Sequence, residues 1–196
     1  AVRASRDQYE VGTFRPNVRS LIAFNTDSEI TPTVRTNGVL MGQITPRGGV
    51  ISGSSGVVHF DGWNWEDAVV KMVDGVHLNW PSTHHKHKKD GKVDIMKRKT
   101  YDQSKREIVS YFTEAKAYAE SYPKSSSKEM DVRHEGMRGL FDGSLALYVH
   151  ADDARAISEA VHFKREMGIF KMVIVGGYDT YLVADVLREN DVSVLL

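Results

Sequence analysis

Cysteine is absent from the 196 residues. That excludes disulfides, thiolate nucleophiles and thiolate metal ligands, and leaves the compartment unassigned. Net charge is absent too: 26 basic residues meet 26 acidic ones. No whole-molecule field therefore points to nucleic acid or to a membrane surface as a partner. No apolar run approaches the ~20 residues of a membrane span. Internal repeats are missing, as are an initiator methionine and a signal-peptide core at the first residues. The glycine-rich stretches lack both the lysine of a P-loop and the spacing of a dinucleotide fingerprint. No nucleophile, histidine and acid stand at a spacing that argues for a triad.

What is present is alternation. Residues 145–150 form an apolar run ending in His150. Asp152 and Asp153 stand where a helix N-cap belongs, and 154–167 reads as a helix closed by Gly168. A second apolar run, 170–175, leads to Gly176 and Gly177. A short helix around Leu182, Val183, Val186 and Leu187 precedes a third run, 192–196. Strand, helix, strand, helix, strand with tight loops implies parallel pairing, because a crossover helix returns the chain to the same sheet edge. Parallel α/β sheets hold ligands at the carboxyl ends of their strands, which is where His150 falls. The missing start and the closing strand lead us to expect a piece of a longer protein.

Upstream, Asp27, Ser28 and Glu29 open a helix that Asn37 and Gly38 close. Residues 39–45 then read as a buried strand, a further parallel neighbour of the three runs above. They lead into Pro46-Arg47-Gly48-Gly49 and a glycine-serine loop over 52–56. Such a loop either faces a substrate, its amides cradling an anion, or only lets backbone pass close to a neighbour. Asn64 caps a helix through Trp65, Ala68, Val69 and Met72, ended by Gly75. Residues 76–80 form a strand stopped by Pro81, with His77 on one face as a core residue or a site residue.

Between residues 82 and 106 nine Lys/Arg face three Asp/Glu, with His84, His85 and His87 among them. This reads as a solvated insertion loop; an anion patch or an adventitious metal site are the functional alternatives. Tyr101 is its single aromatic, too few for base stacking. A long amphipathic helix over 102–120 presents Ile108, Val109, Phe112, Ala115 and Ala119, and Pro123 and the serines at 125–127 break it. A further helix from Ser127 or Lys128 runs through Met130, Met137 and Leu140 to Gly143. His162 falls mid-helix as an exposed residue.

Three segments together resemble an imidazolonepropionase-like member of the amidohydrolase superfamily, metal-dependent hydrolases built on a (β/α)8 barrel. Residues 34–46 with the glycines after them resemble its second barrel strand. Met137-Arg138-Gly139-Leu140 through His150-Ala151-Asp152-Asp153 resembles the helix and fifth strand. Residues 168–194 resemble the sixth strand, its helix and the start of the seventh. The resemblance implies an α/β fold: one partial TIM-type barrel domain over residues 1–196, roughly strands two to seven, with a charged helical insertion at 82–140. It makes His150 a metal ligand and implies a divalent metal, zinc, in the full-length parent. The first-strand His-x-His pair and the eighth-strand aspartate of the family have no counterpart, and Gly176 stands where the family has a histidine. No catalytic residue is therefore assigned within the chain, and the chain alone is expected to hold no metal. Arg47, Gly48, Gly49, His77, Gly176 and Gly177 are the candidate substrate-binding residues.

The expected function is that of part of a metal-dependent amidohydrolase cleaving a C–N bond of an amide or cyclic amide, inactive by itself. The alternatives are a non-catalytic α/β module binding a small anion at its Gly-rich loops, and a degenerate barrel with a structural role. The expected partners are a small-molecule amide and, along an open edge at 192–196, a second copy of the chain in a homodimer.

Overall fold

The structure, a computed structural model, describes residues 12–89, 92–121 and 130–196, with side chains for all of these except 85–95. In chain order it comprises α1 (Ile30–Thr36), β1 (Met41–Ile44), β2 (Ile51–His59), α2 (Trp65–Ala68), β3 (Val69–Asn79), the hairpin strands β4 (His84–Lys89) and β5 (Lys92–Lys97), and α3 (Tyr101–Ser121). Then follow α4 (Val132–Glu135), α5 (Gly139–Asp142), β6 (Ala146–Ala151), α6 (Ala154–Met167), β7 (Lys171–Gly176), α7 (Ala184–Glu189) and β8 (Val192–Leu195).

The alternating carboxyl-terminal half folds as its sequence dictates. The Asp153 carboxylate accepts from the Ala156 amide at 2.8 Å, starting α6. Gly168, at φ 72°, ends it in the left-handed conformation that lacks a Cβ penalty. β6, β7 and β8 pair in parallel, and β3 joins β6 in parallel on the other side. The sheet order is β1-β2-β3-β6-β7-β8, curled as part of a barrel.

One face of the parallel strands carries Val76, Leu78, Leu147, Val149, Met172 and Ile174, all buried under α3 and α6. Phe112 of α3 meets Phe163 of α6 edge to face, with ring centroids 4.9 Å apart. The helices thus lie against one face, and the other face carries the polar residues described below.

The amino-terminal half departs from the pattern in the sequence. Strand 39–45 was expected to be buried and parallel; β1 is instead a partly exposed edge strand, antiparallel to β2. The reason is chain length: residues 45–50 can close a hairpin, whereas a parallel return needs about a dozen residues or more. The glycine-serine stretch 52–56 is no loop but the buried part of β2. The helix over 65–75 stops at Ala68, and the β-branched Val69, Val70, Val73 and Val76 continue as strand β3. Gly75 does not cap a helix. It lets β3 pass against the Ala146 carbonyl and the Tyr148 ring, where any Cβ would collide.

Two further expectations change in the middle of the chain. The basic stretch forms the β4–β5 hairpin, a separate two-stranded sheet, in place of a loop. The helix α3 packs into the core through Tyr101, Ile108, Phe112 and Ala115, and lies in the crossover from β3 to β6. The helix expected up to Gly143 is broken between Glu135 and Gly139, leaving α4 and α5. Residues 122–129, which include Pro123 and the serines, and the residues before 12 lie outside the described part.

Glu159 of α6 ties the two long helices together. It accepts from the Tyr101 hydroxyl at 2.8 Å, from Lys105 Nζ at 2.9 Å and from Arg155 Nε at 2.8 Å. Burial alone would raise its carboxyl, but these donors outweigh it and hold the group at about 2 against an ordinary 4.5. A folded value below the unfolded one stabilises fully above pH 4.5, and that contribution is lost as pH falls toward 2. With a fifth of the side chain exposed, screening limits the effect, and we expect Glu159→Gln to cost about 1–2 kcal/mol at pH 7. The difference from wild type should shrink as pH is lowered through this window in denaturant titrations. A difference that persists undiminished at pH 2 would assign the loss to packing.

Candidate functional site

The parallel register of β3 and β6 sets His77 opposite Tyr148 and Asn79 opposite His150. Since side chains alternate along a strand, these four share the face turned away from the helices. His77 Nδ1 lies 2.9 Å from His150 Nε2. The His77 ring stacks on Tyr148, with centroids 4.8 Å apart and planes 6° from parallel. The Tyr148 hydroxyl donates to Asp74 Oδ2. Asp74 also accepts from Gln43 Nε2 at 2.9 Å and from Lys71 Nζ at 2.7 Å. A continuous polar line, Lys71–Asp74–Tyr148–His77–His150, thus runs up the sheet to the carboxyl ends of its parallel strands.

Burial sets the charge states along this line. It depresses His77 to about 4, helped by the neighbouring charge of His150, and it also lowers His150. Both rings are therefore neutral at pH 7, and one donates a ring proton to the other. Burial, reinforced by the Asp74 carboxylate, pushes the Tyr148 phenol up to about 12, so it remains a donor. Burial alone would raise the Asp74 carboxyl, yet the hydrogen bonds from Lys71, Tyr148 and Gln43 leave it below its ordinary value.

His77 is only 1% exposed, and its Nε2 has no partner. A buried bare lone pair is tolerated better than a buried unpaired N–H. This assigns the donated proton to His77 Nδ1 and leaves His150 Nε2 as the acceptor, with the His150 proton on Nδ1.

The loops around His150 are held by specific contacts. Asn79 Nδ2 donates to the Gly49 carbonyl and to Ser52 Oγ, both at 2.9 Å. A terminal nitrogen of Arg15 donates to the Arg47 and Gly48 carbonyls at 3.1 and 2.6 Å. The Arg47-Gly48-Gly49 turn is thereby fixed beside the end of β3 through its carbonyls. His150 pairs with Val175, which puts Gly176 and Gly177 at the adjoining strand end. Gly176, at φ 90°, passes so close to Asp152 that a Cβ would sit 2.5 Å from Oδ1. The Gly177 amide donates to the Ala151 carbonyl at 2.9 Å. The structure therefore brings His77 and His150 into contact and sets Gly49, Gly176 and Gly177 at the same end of the sheet. The anion cradle of 52–56 does not form, because those residues lie in β2 and pair with β3. His162 is exposed on α6.

Tyr148, Asn79, Asp74 and Gln43 were not singled out from the sequence. The alternation of 146–150 carried a signal, since Tyr148 and His150 stand two apart. Its meaning depends on the register with β3, which no local pattern specifies.

These residues do not complete a metal centre. A catalytic zinc generally needs three protein ligands and an open position. Among the described residues no three His, Cys, Asp or Glu are grouped to hold an ion. His150 Nε2 is already engaged by His77, and Gly176 offers no ligand.

No family model matches the chain, and no curated protein matches it. A solved structure to which it is similar is the crystal structure of an amidohydrolase from Thermotoga maritima MSB8, with a TM-score of 0.77 and 21% sequence identity. The likeness covers 94% of this chain and 49% of that one, so the chain spans about half the length of that protein and shares its fold over that half.

The polar line makes a direct prediction. Tyr148→Phe keeps the ring stacked on His77 and removes only the bond to Asp74. Hydrogen bonds to charged groups contribute about 1.5–3 kcal/mol, and a loss of that size is expected in chemical denaturation at pH 7. The Asp74 carboxyl should rise at the same time, measured by carboxyl-carbon NMR. An unchanged stability would show that water takes the place of the phenol.

Proposed function

We propose that this chain is about half of an amidohydrolase-type hydrolase that cleaves a C–N bond of an amide or cyclic amide, and that the chain by itself is inactive. The observation that carries this reading is the position of His150. It ends a parallel strand flanked by two parallel neighbours, on the face away from the helices, in a fold shared with half of an amidohydrolase. In barrel enzymes the strand ends on this side hold the chemistry. The imidazolonepropionase-like resemblance of the sequence supports the same superfamily.

His150 is the proposed metal ligand of this half, for a divalent ion of the zinc type in the full-length protein. Its other ligands would lie outside the chain, and the described residues alone do not satisfy the ion. What the chain's own residues contribute is positioning. His77, fixed by its stack on Tyr148, holds the His150 ring, and ligation through His150 Nδ1 would require the pair to exchange roles, with His150 Nε2 donating to His77 Nδ1. Arg47, Gly48, Gly49, Gly176 and Gly177 border the same end and are the proposed contacts for a small amide. β8 ends the described sheet, and its unpaired edge suits either further strands of the same protein or a second copy of the chain.

The test compares this chain with the full-length protein across a panel of linear and cyclic amides, with metal content measured on both. We expect metal-dependent hydrolysis in the full-length protein, abolished by His150→Ala. We expect no activity in the chain alone, where the same substitution leaves the buried His77 Nδ1 without its partner and costs about 1–3 kcal/mol. A full-length protein that hydrolyses none of the amides with zinc, manganese or cobalt supplied would overturn the assignment. A bound equivalent in the chain that disappears with His150→Ala would show that ligands beyond His150 lie within it.

A further inference from the structure

His150 stands at the carboxyl end of the parallel strands, but a second concavity opens at their amino ends, lined by Arg19, Val73, Arg138, Asp142 and Leu145. We propose that it is a separate small-molecule site, one that takes a zwitterion with an apolar side chain, the chemistry of a free amino acid such as leucine, between Arg19 and Asp142.

The cavity has a volume of about 770 Å³, within the range of roughly 300–1,000 Å³ in which proteins hold small ligands. It is distinct from the strand-end site. Leu145 lies on the amino side of β6, five residues before His150, or about 16 Å of strand. One wall is the segment 16–22, which is fastened to β2. The Ser54 amide donates to the Val18 carbonyl at 2.7 Å, and the Ser20 hydroxyl donates to the Ser54 carbonyl at 3.0 Å. The other wall is α4, α5 and the turn into β6. At Gly136 the two walls meet so closely that a Cβ would sit 2.8 Å from the Pro16 carbonyl oxygen.

The walls carry opposite charge. On the α4–α5 side Arg138 pairs with Glu135 at 3.0 Å. That leaves Asp142 as the net negative charge of this wall, its Oδ1 accepting from the Ser144 amide at 2.9 Å. On the facing wall Arg19 is exposed, and its guanidinium has no hydrogen bond or ion pair among the described residues. A simple anion or a simple cation would satisfy one wall only. A zwitterion satisfies both, with its carboxylate on the planar donors of Arg19 and its ammonium on Asp142. The apolar requirement comes from a second observation. Ile22, Met130 and Val132 border the cavity and are 55%, 56% and 54% exposed. Single exposed apolar residues are ordinary, but three gathered around one concavity offer a surface for an apolar group. Val73 and Leu145 extend that surface inward.

The experiment titrates L-leucine into the chain and follows backbone amide shifts by NMR. The controls are 4-methylpentanoate, which lacks the ammonium, and leucinamide, which lacks the carboxylate. We expect saturable binding of one equivalent of L-leucine with shifts over 16–22 and 132–145. Affinity should fall about tenfold or more for either control and in Arg19→Ala. Asp142→Asn should weaken L-leucine by a similar factor without weakening 4-methylpentanoate. Arg19 and Asp142 are both exposed, so the variants should fold, and His150→Ala should bind as the wild type does. Three results would overturn the proposal. One is the absence of saturable shifts up to about 50 mM L-leucine. Another is equal binding of L-leucine and 4-methylpentanoate, the mark of a site for anions alone. The third is binding kept in Arg19→Ala and lost in His150→Ala, which would place the ligand at the other end of the strands.

Discussion

The parallel pairing of β3 with β6 is the constraint on which the rest depends. It joins strands whose partnered residues lie 71 apart in sequence, and the intervening chain contributes α3, which buries Ile108, Phe112 and Ala115 in the core beside the sheet. Both faces of the pair are used. One receives the helices and forms the apolar core. The other sets His77 against Tyr148 and brings His150 within hydrogen-bonding distance of His77. Slipping β3 by one residue against β6 would turn His77 under the helices and Val76 and Leu78 to the polar side, and so part His77 from His150.

The polar face shows how a sheet can carry titratable groups without carrying charge. A protonated imidazole at His77 would be buried against the Tyr148 ring and opposite Gly53, so burial keeps it neutral. The carboxylate of the line, Asp74, sits near the amino end of the parallel strands beside Lys71, where the charges are matched. Charge is thus held at one end of the line and neutral imidazoles at the other.

The hairpin follows a different logic. The main sheet is held by burial, whereas β4 and β5 have no sheet neighbour and a surplus of like charge. Their base is tied to the rest of the molecule through Thr83, whose carbonyl accepts from the Arg98 amide and whose hydroxyl donates to Asp153.

The sequence by itself determined the elements whose signals are local. Helix α6 begins at the Asp153 cap and ends at Gly168 as its residues indicate, and the alternation from 145 onward specifies parallel strands because no other pairing tolerates those crossovers. The position of His150 at a strand end was legible for the same reason. Where local signals conflicted, the tertiary structure decided. Trp65, Ala68, Val69 and Met72 fit a helical period, yet residues from 69 onward are strand, because Val69 and Lys71 find partners in β2 and Gly75 must let β3 approach Ala146. Glycine and serine at 52–56 resemble a loop, yet small residues are what a strand needs where Val18 packs against Gly53 and Lys71 and Met72 against Gly56. The contact of His77 with His150, and the recruitment of Tyr148 and Asp74 beneath it, depend on register between distant strands. That register is set by the burial of the whole opposite face, a sum over many residues that no single stretch of sequence contains.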